Sequence, residues 1–98
     1  TMPIITPSVA AKVGFIQVKW YAAPGSNLLG QFVEDGISHS NAVLLANHGV
    51  VAVGPSMEAA VSMANEVENN AMLLLLGRDQ IHHLSQTDVD LLVRKVSL

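Results

Sequence analysis

The turn Asn47-His48-Gly49 is where this sequence holds a chemically versatile side chain most rigidly. It lies between two continuous apolar runs, Ala42-Val43-Leu44-Leu45-Ala46 and Val50-Val51-Ala52-Val53. An imidazole at the tip of two buried strands is fixed while its ring projects outward. Neutral imidazole is the commonest metal ligand, and a fixed ring loses little entropy on coordination. Spacing alone leaves a second reading open, and a commoner one: a turn histidine whose nitrogens hydrogen-bond to backbone. A catalytic zinc site needs three protein ligands and an open position. Besides His48 the chain has only His39, His82 and His83, and no cysteine. His39 reads as part of the loop before the strand and His82-His83 as part of a loop between helices, so all three are expected to be solvated. One neutral nitrogen alone competes poorly with bulk water for a metal. No catalytic acid or base can be assigned. Glu66 and Glu68, two residues apart, cannot share a helix face. Glu66 points either inward near the turn or into a salt link with a neighbouring subunit, and Glu68 is solvated. Trp20 and Tyr21 precede Pro24-Gly25 and could line a substrate mouth, although such aromatics are more often half-buried packing.

These residues need elements to position them, and the pattern supplies a set. Met2 to Thr6 reads as extended. Thr6-Pro7-Ser8 starts a short helix with proline in its first turn, and Gly14 stops it. Phe15 to Val18 is a short β-branched strand candidate. Ser26 caps a helix whose apolar face is Leu28, Leu29, Phe32, Val33 and Ile37, weakened by Gly30 and Gly36 at roughly 1 kcal/mol each relative to alanine. The two apolar runs around His48 read as strands covered on both faces, joined by a tight turn in which Gly49 takes the positive φ. Ser56 caps a long helix with Glu58 near its positive end, an apolar face running from Met57 to Leu75, and Gly77 as its stop. A last helix, capped by Ser85 or Thr87 and stapled by Leu84, presents Val89, Leu92, Val93 and Val96. Strands alternating with helices make the class α/β, one domain over residues 1–98.

Half of the 98 residues are apolar and 13% are charged, against roughly 25% charge in an ordinary domain. Mean hydropathy is +0.40. A domain this small exposes much of what it cannot bury, so the surplus predicts a second chain or further parts of the same domain as cover. The net charge is −3 and the five basic residues are scattered, which argues against nucleic acid. The uncharged stretch 36–57 is long enough for a bilayer. It contains His39, Asn41, Asn47, His48, Gly49 and Pro55, however, so a membrane span is not expected. The start shows no basic segment followed by an apolar core. A cysteine-free chain fits the cytoplasm.

The run Asn41 to Gly54, followed by Ser56-Met57-Glu58-Ala59-Ala60 and Glu66-Val67-Glu68, resembles the class II aldolase/adducin family. Tyr21-Ala22-Ala23-Pro24-Gly25-Ser26-Asn27-Leu28 is similar to the stretch before the histidine strand in that family. The resemblance runs from about Pro3 to Leu92. It implies the C-terminal half of an α/β/α layered domain with few strands and flanking helices. Relatives include fuculose- and rhamnulose-phosphate aldolases, ribulose-phosphate 4-epimerases and decarboxylases of phosphorylated oxo-sugar acids. The Pro-Gly form and the Ala-Asn-His-Gly turn look most like the decarboxylase branch. The family's divalent metal, usually Zn(2+), polarises a carbonyl and is held by three histidines, the last of them in the His-Gly turn, so the resemblance makes His48 a metal ligand by descent. The other two come from a His-x-His segment in the first half of the family domain, as do the catalytic acidic residue and the phosphate-binding loops. None has a counterpart here. A tyrosine that can donate a proton in relatives falls where this chain has Ile4-Ile5-Thr6-Pro7.

The resulting expectation is a truncated domain, inactive alone, with His48 as an incomplete metal site and Tyr21 lining the substrate mouth. A phosphorylated sugar or sugar acid would be the substrate, and a homo-oligomer or a chain supplying the N-terminal half the partner. The alternatives are a non-catalytic oligomerisation module, as in the adducin branch, or a gene remnant.

Overall fold

The computed structural model describes residues 1–80 and 82–97. Helix α1 (Pro7–Lys12) begins where Thr6 Oγ1 accepts the Val9 N–H at 3.2 Å, with Pro7 in the first turn. Asn41 closes its far end: its side chain donates to the Lys12 carbonyl at 2.8 Å and its backbone N–H to that of Val13 at 3.0 Å. Carbonyls that a helix terminus leaves unpaired are thereby satisfied from the opposite end of a connection. Strand β1 is Gln17–Lys19, displaced along the chain from the expected Phe15–Val18. The reason is local. Ile16 is fully buried, and its carbonyl accepts the N–H of Met2 at 2.8 Å rather than that of a strand neighbour.

Helix α2 (Asn27–His39) starts at Ser26, whose Oγ accepts the Leu29 N–H. It runs through Gly36 to His39, so His39 ends a helix instead of sitting in a loop. Strands β2 (Ala42–Leu45) and β3 (Gly49–Ala52) follow, then α3 (Met57–Gly77), a 3-10 turn at Arg78–Gln80, and α4 (Gln86–Ser97). Ser56 caps α3, and Ser85, rather than Thr87, accepts the Asp88 N–H at the start of α4. Gly77, the expected stop, is instead the last residue of α3, and Arg78 after it takes a positive φ of 52°.

The sheet order is β1-β2-β3, with β1 parallel to β2 and β2 antiparallel to β3. Alternation along the strands separates two faces. Ala42 and Leu44, opposite Ala52 and Val50, join the core with Val67, Met63, Ala71 and Leu74 of α3. Val43 points the other way, toward α2. The expected α/β/α layering results. The α2 layer sits close because of Gly36: a β-carbon there would lie 2.4 Å from Val43 Cγ2 and 2.5 Å from Val43 Cβ. The residue that weakens α2 as an isolated helix is the one that lets it dock.

Asn70, fully buried on α3, clamps the extended N-terminal segment. Its Oδ1 accepts the Ile5 N–H at 2.9 Å, and its Nδ2 donates to the Pro3 carbonyl at 2.8 Å. Met2, Ile4, Val9, Ala10, Val13 and Ile16 then complete the core with Ala42, Val67 and Val89.

Candidate functional site

Ala46, Asn47 and His48 form the three-residue connection between β2 and β3, since Leu45 pairs with Gly49. The His48 N–H donates to the Leu45 carbonyl at 3.0 Å, closing a β-turn with Asn47 at its third position. Asn47 has φ 65°, the left-handed conformation that asparagine tolerates better than most residues. Gly49 is also at positive φ, 144°. The expected single special position is therefore two, one on each side of His48. The Ala46 N–H donates to the Lys19 carbonyl at 3.0 Å, which ties the turn to β1 as well.

His48 is exposed, and two contacts fix its ring. Its Nε2 lies 2.8 Å from the Ala22 carbonyl, and the Tyr21 ring stacks on it with centroids 5.8 Å apart and planes within 5°. A carbonyl only accepts, so a hydrogen bond there puts the proton on Nε2 and the lone pair on Nδ1. One nitrogen bound to backbone and the other left as a donor is the arrangement of a metal-ligating histidine. Backbone thus satisfies one ring nitrogen, as the commoner reading of the turn expects. Tyr21 sits beside His48. It and Trp20 are exposed rather than half-buried packing.

The other titratable candidates lie elsewhere. His39 Nδ1 bonds the Asp35 carbonyl at 2.8 Å at the end of α2. His82 and His83 are exposed in the connection before α4. Glu66 does not approach the turn. Its carboxylate accepts from Ser8 Oγ at 3.0 Å and meets Lys12 Nζ at 3.4 Å, linking α3 to α1 within the chain. Among the described residues no three His, Cys, Asp or Glu side chains converge to hold a metal ion. His48 fits one position of a zinc shell, and these residues do not complete it. Below the turn, Lys19 forms an ion pair with Asp35 that joins β1 to α2. The hydrogen bond from Lys19, and then its charge, hold the Asp35 carboxyl below its ordinary range.

A family model, the class II aldolase and adducin N-terminal domain, matches residues 1–75. The chain belongs to the class II aldolase and adducin family. Among curated class II relatives, the 3-oxo-tetronate 4-phosphate decarboxylase of Pectobacterium atrosepticum is 38% identical over 85 residues, which is 86% of this chain and 39% of that protein. The L-fuculose phosphate aldolase of Haemophilus influenzae is 44% identical over 48 residues, 49% of this chain and 22% of that one. The fold agrees with solved members. YgbL from Klebsiella pneumoniae, whose description leaves aldolase, epimerase and decarboxylase open, superposes with a TM-score of 0.82 at 35% identity, covering 93% of this chain and 44% of its own. An L-fuculose 1-phosphate aldolase gives 0.85 at 25% identity, covering 99% and 47%. The chain thus spans about two fifths of the length of the curated decarboxylases it matches. Class II aldolase family members generally use a divalent metal. No helix among the described residues is long and apolar enough to cross a membrane.

Sequence reasoning missed the Ala22 carbonyl as the acceptor for His48, and Asn70 as the clamp on residues 3–5. Both contacts are long-range, 26 and more than 60 residues apart, and no local periodicity encodes them.

Proposed function

We propose that this chain provides the His48-bearing part of a zinc-dependent class II aldolase-type centre acting on a phosphorylated sugar or sugar acid. The remaining ligands and the acid–base groups come from chain outside these 98 residues, in the same polypeptide or in a second one. The 98 residues are inactive alone. The observation that carries this reading is the seating of His48: exposed at a braced hairpin tip, one nitrogen on backbone, the other free to donate. The names of the relatives favour decarboxylation of a 3-oxo-tetronate 4-phosphate over aldol cleavage. Tyr21 lines the substrate mouth. Working as a homo-oligomer in the cytoplasm fits the apolar surplus and the cysteine-free sequence.

The test mixes the purified chain with a polypeptide carrying the family's His-x-His segment. Zinc retention and chelator-sensitive release of carbon dioxide from a 3-oxo-tetronate 4-phosphate are expected only in the mixture. Neither property at any ratio removes the proposal.

A second reading, a non-catalytic association module, is favoured by the exposed apolar residues of α3, where Met57, Leu75 and Leu76 are 80%, 77% and 77% accessible. It expects a stable homo-oligomer whose sedimentation mass and Tm ignore zinc and survive His48→Ala.

A further inference from the structure

We propose that α3 carries a self-complementary stripe through which two copies of this chain pair antiparallel, about a twofold axis passing between Glu66 and Val67. The pairing uses none of the residues around His48. It rests on the homo-oligomer that both readings above include, and adds to it a surface and a geometry.

The core side of α3 is set by Met63, Val67, Ala71 and Leu74, which pack inward. Met57, Val61, Asn65, Glu68, Met72 and Leu76 fall together on another face, within about 100° of arc at 3.6 residues per turn. All six are exposed, and the four apolar ones are each more than half accessible. Their spacing reads the same in both directions: four, four, three, four, four. A helix laid antiparallel on its own copy therefore meets its own pattern. Met57 faces the partner's Leu76, Val61 faces the partner's Met72, and Asn65 faces the partner's Glu68, whose carboxylate accepts from an amide. Apolar side chains cover each other at both ends while the polar pair holds the register at the centre. Charge selects the direction. Glu58 lies in the first turn of α3 and Arg78 just past its end. The antiparallel arrangement brings these two positions within one helical turn across the pair and opposes the helix dipoles. A parallel one would set Glu58 against the partner's Glu58 and align the dipoles. From Met57 to Leu76 the contact runs about 28 Å, which calls for the shallow crossing of about 20° that bundles use. Over both copies it covers on the order of 1,000 Å², the lower limit for a specific interface.

The chain has no cysteine, so single introduced thiols report the geometry. Met57→Cys and Leu76→Cys are prepared separately, mixed and mildly oxidised, and the products are separated by mass. The expected product is a disulfide between one variant and the other. Disulfides between two copies of the same variant, in excess over the mixed one, overturn the antiparallel register. Sedimentation measures the strength. The mass should rise from one copy to two with concentration, with or without zinc. In a twofold contact each substitution occurs twice, so Val61→Asp should raise the Kd about a hundredfold, tenfold for each copy. Circular dichroism should show its fold unchanged, since Val61 lies on the surface. Asn65→Lys sets an ammonium opposite the partner's Glu68 and should tighten the pair. Asn65→Glu sets like charges there and should loosen it, with the two Kd values about tenfold apart. A chain that stays monomeric throughout, its stripe left for some other protein to cover, overturns the proposal. So does an assembly whose mass is indifferent to Val61→Asp and to both changes at Asn65, although the homo-oligomer itself would then stand.

Discussion

Replacing Gly36 with alanine sets two effects of opposite sign against each other, and the structure decides between them. Gly36 lies inside α2, where alanine is favoured over glycine by about 1 kcal/mol. The added β-carbon would stand 2.4 Å from Val43 Cγ2 and 2.5 Å from Val43 Cβ, about 1 Å or more inside normal carbon contact. Val43 has no accessible surface, and a β-branched side chain has few χ1 alternatives. Rotation would not help in any case, because Val43 Cβ is fixed to the β2 backbone. The helix must retreat from the sheet, and overpacking of this kind costs about 3 kcal/mol, the upper part of its usual range. The net expectation is a loss of about 2 kcal/mol, or a fall in Tm of about 8–16 °C for a domain of this size. Gly30 in the same helix is the control. It is exposed, and a β-carbon there meets nothing within 4 Å, so Gly30→Ala should raise Tm by about 4–8 °C. Thermal melts followed by circular dichroism separate the two. A Tm increase for Gly36→Ala would refute the close α2–β2 approach, and with it the placement of the helix behind the strand that leads to His48.

Asn70→Leu keeps similar volume but leaves the Ile5 N–H and Pro3 carbonyl without their partner. A cost of about 2–5 kcal/mol is expected as a lower urea midpoint at unchanged slope. The Lys19–Asp35 pair gives a pH signature. Because the folded carboxyl titrates below its unfolded value of about 3.9, its stabilisation is complete above that value and is lost as pH falls through the folded one. The Tm difference between the parent and Asp35→Asn should therefore be steady from neutral pH to about pH 5 and close below about pH 4. It should also shrink in salt, and a gap that widens on acidification contradicts the pairing. His48→Ala removes one hydrogen bond at an exposed turn, so Tm should fall by no more than about 10 °C with the fold retained. Any zinc-dependent rise in Tm should disappear with it, and complete unfolding would mean that the ring serves the fold instead.

The features legible in the sequence were those that depend on near neighbours. Ser26, Ser56 and Thr6 cap helices where a hydroxyl precedes an apolar period, and the two valine- and leucine-rich runs about His48 form the hairpin. What escaped depends on partners far along the chain. Ile16 reads as a strand residue by composition, but its carbonyl is taken by Met2, which delays β1 until Gln17. Gly36 reads as a helix defect until Val43 stands behind it. His39 reads as a residue of the loop before the strand, yet α2 continues to it and its ring bonds the Asp35 carbonyl. At the site, the turn and its imidazole could be located from residues 42–53 alone. The Ala22 carbonyl could not, since nothing about Tyr21-Ala22 in isolation points to a histidine 26 residues away.

Part of the exposed apolar surface lies beside the hairpin turn. Among the described residues β1 is an edge strand, and Val18, Trp20 and Tyr21 at and after it are 51%, 82% and 56% accessible. An edge of this kind, next to a parallel pair, is normally covered on its faces and continued by another strand. Tyr21 is also the residue whose ring lies flat against His48. A segment that shields Val18 and Trp20 from water would therefore end within reach of the imidazole, without any rearrangement of the hairpin. Burial of the strip would supply the association energy, roughly 25 cal/mol for each Å² of apolar surface removed from water. Ligands carried on that segment would arrive at a nitrogen already oriented. Docking and completion of the site would then be one event, and substitutions at Trp20 should weaken assembly and zinc retention together.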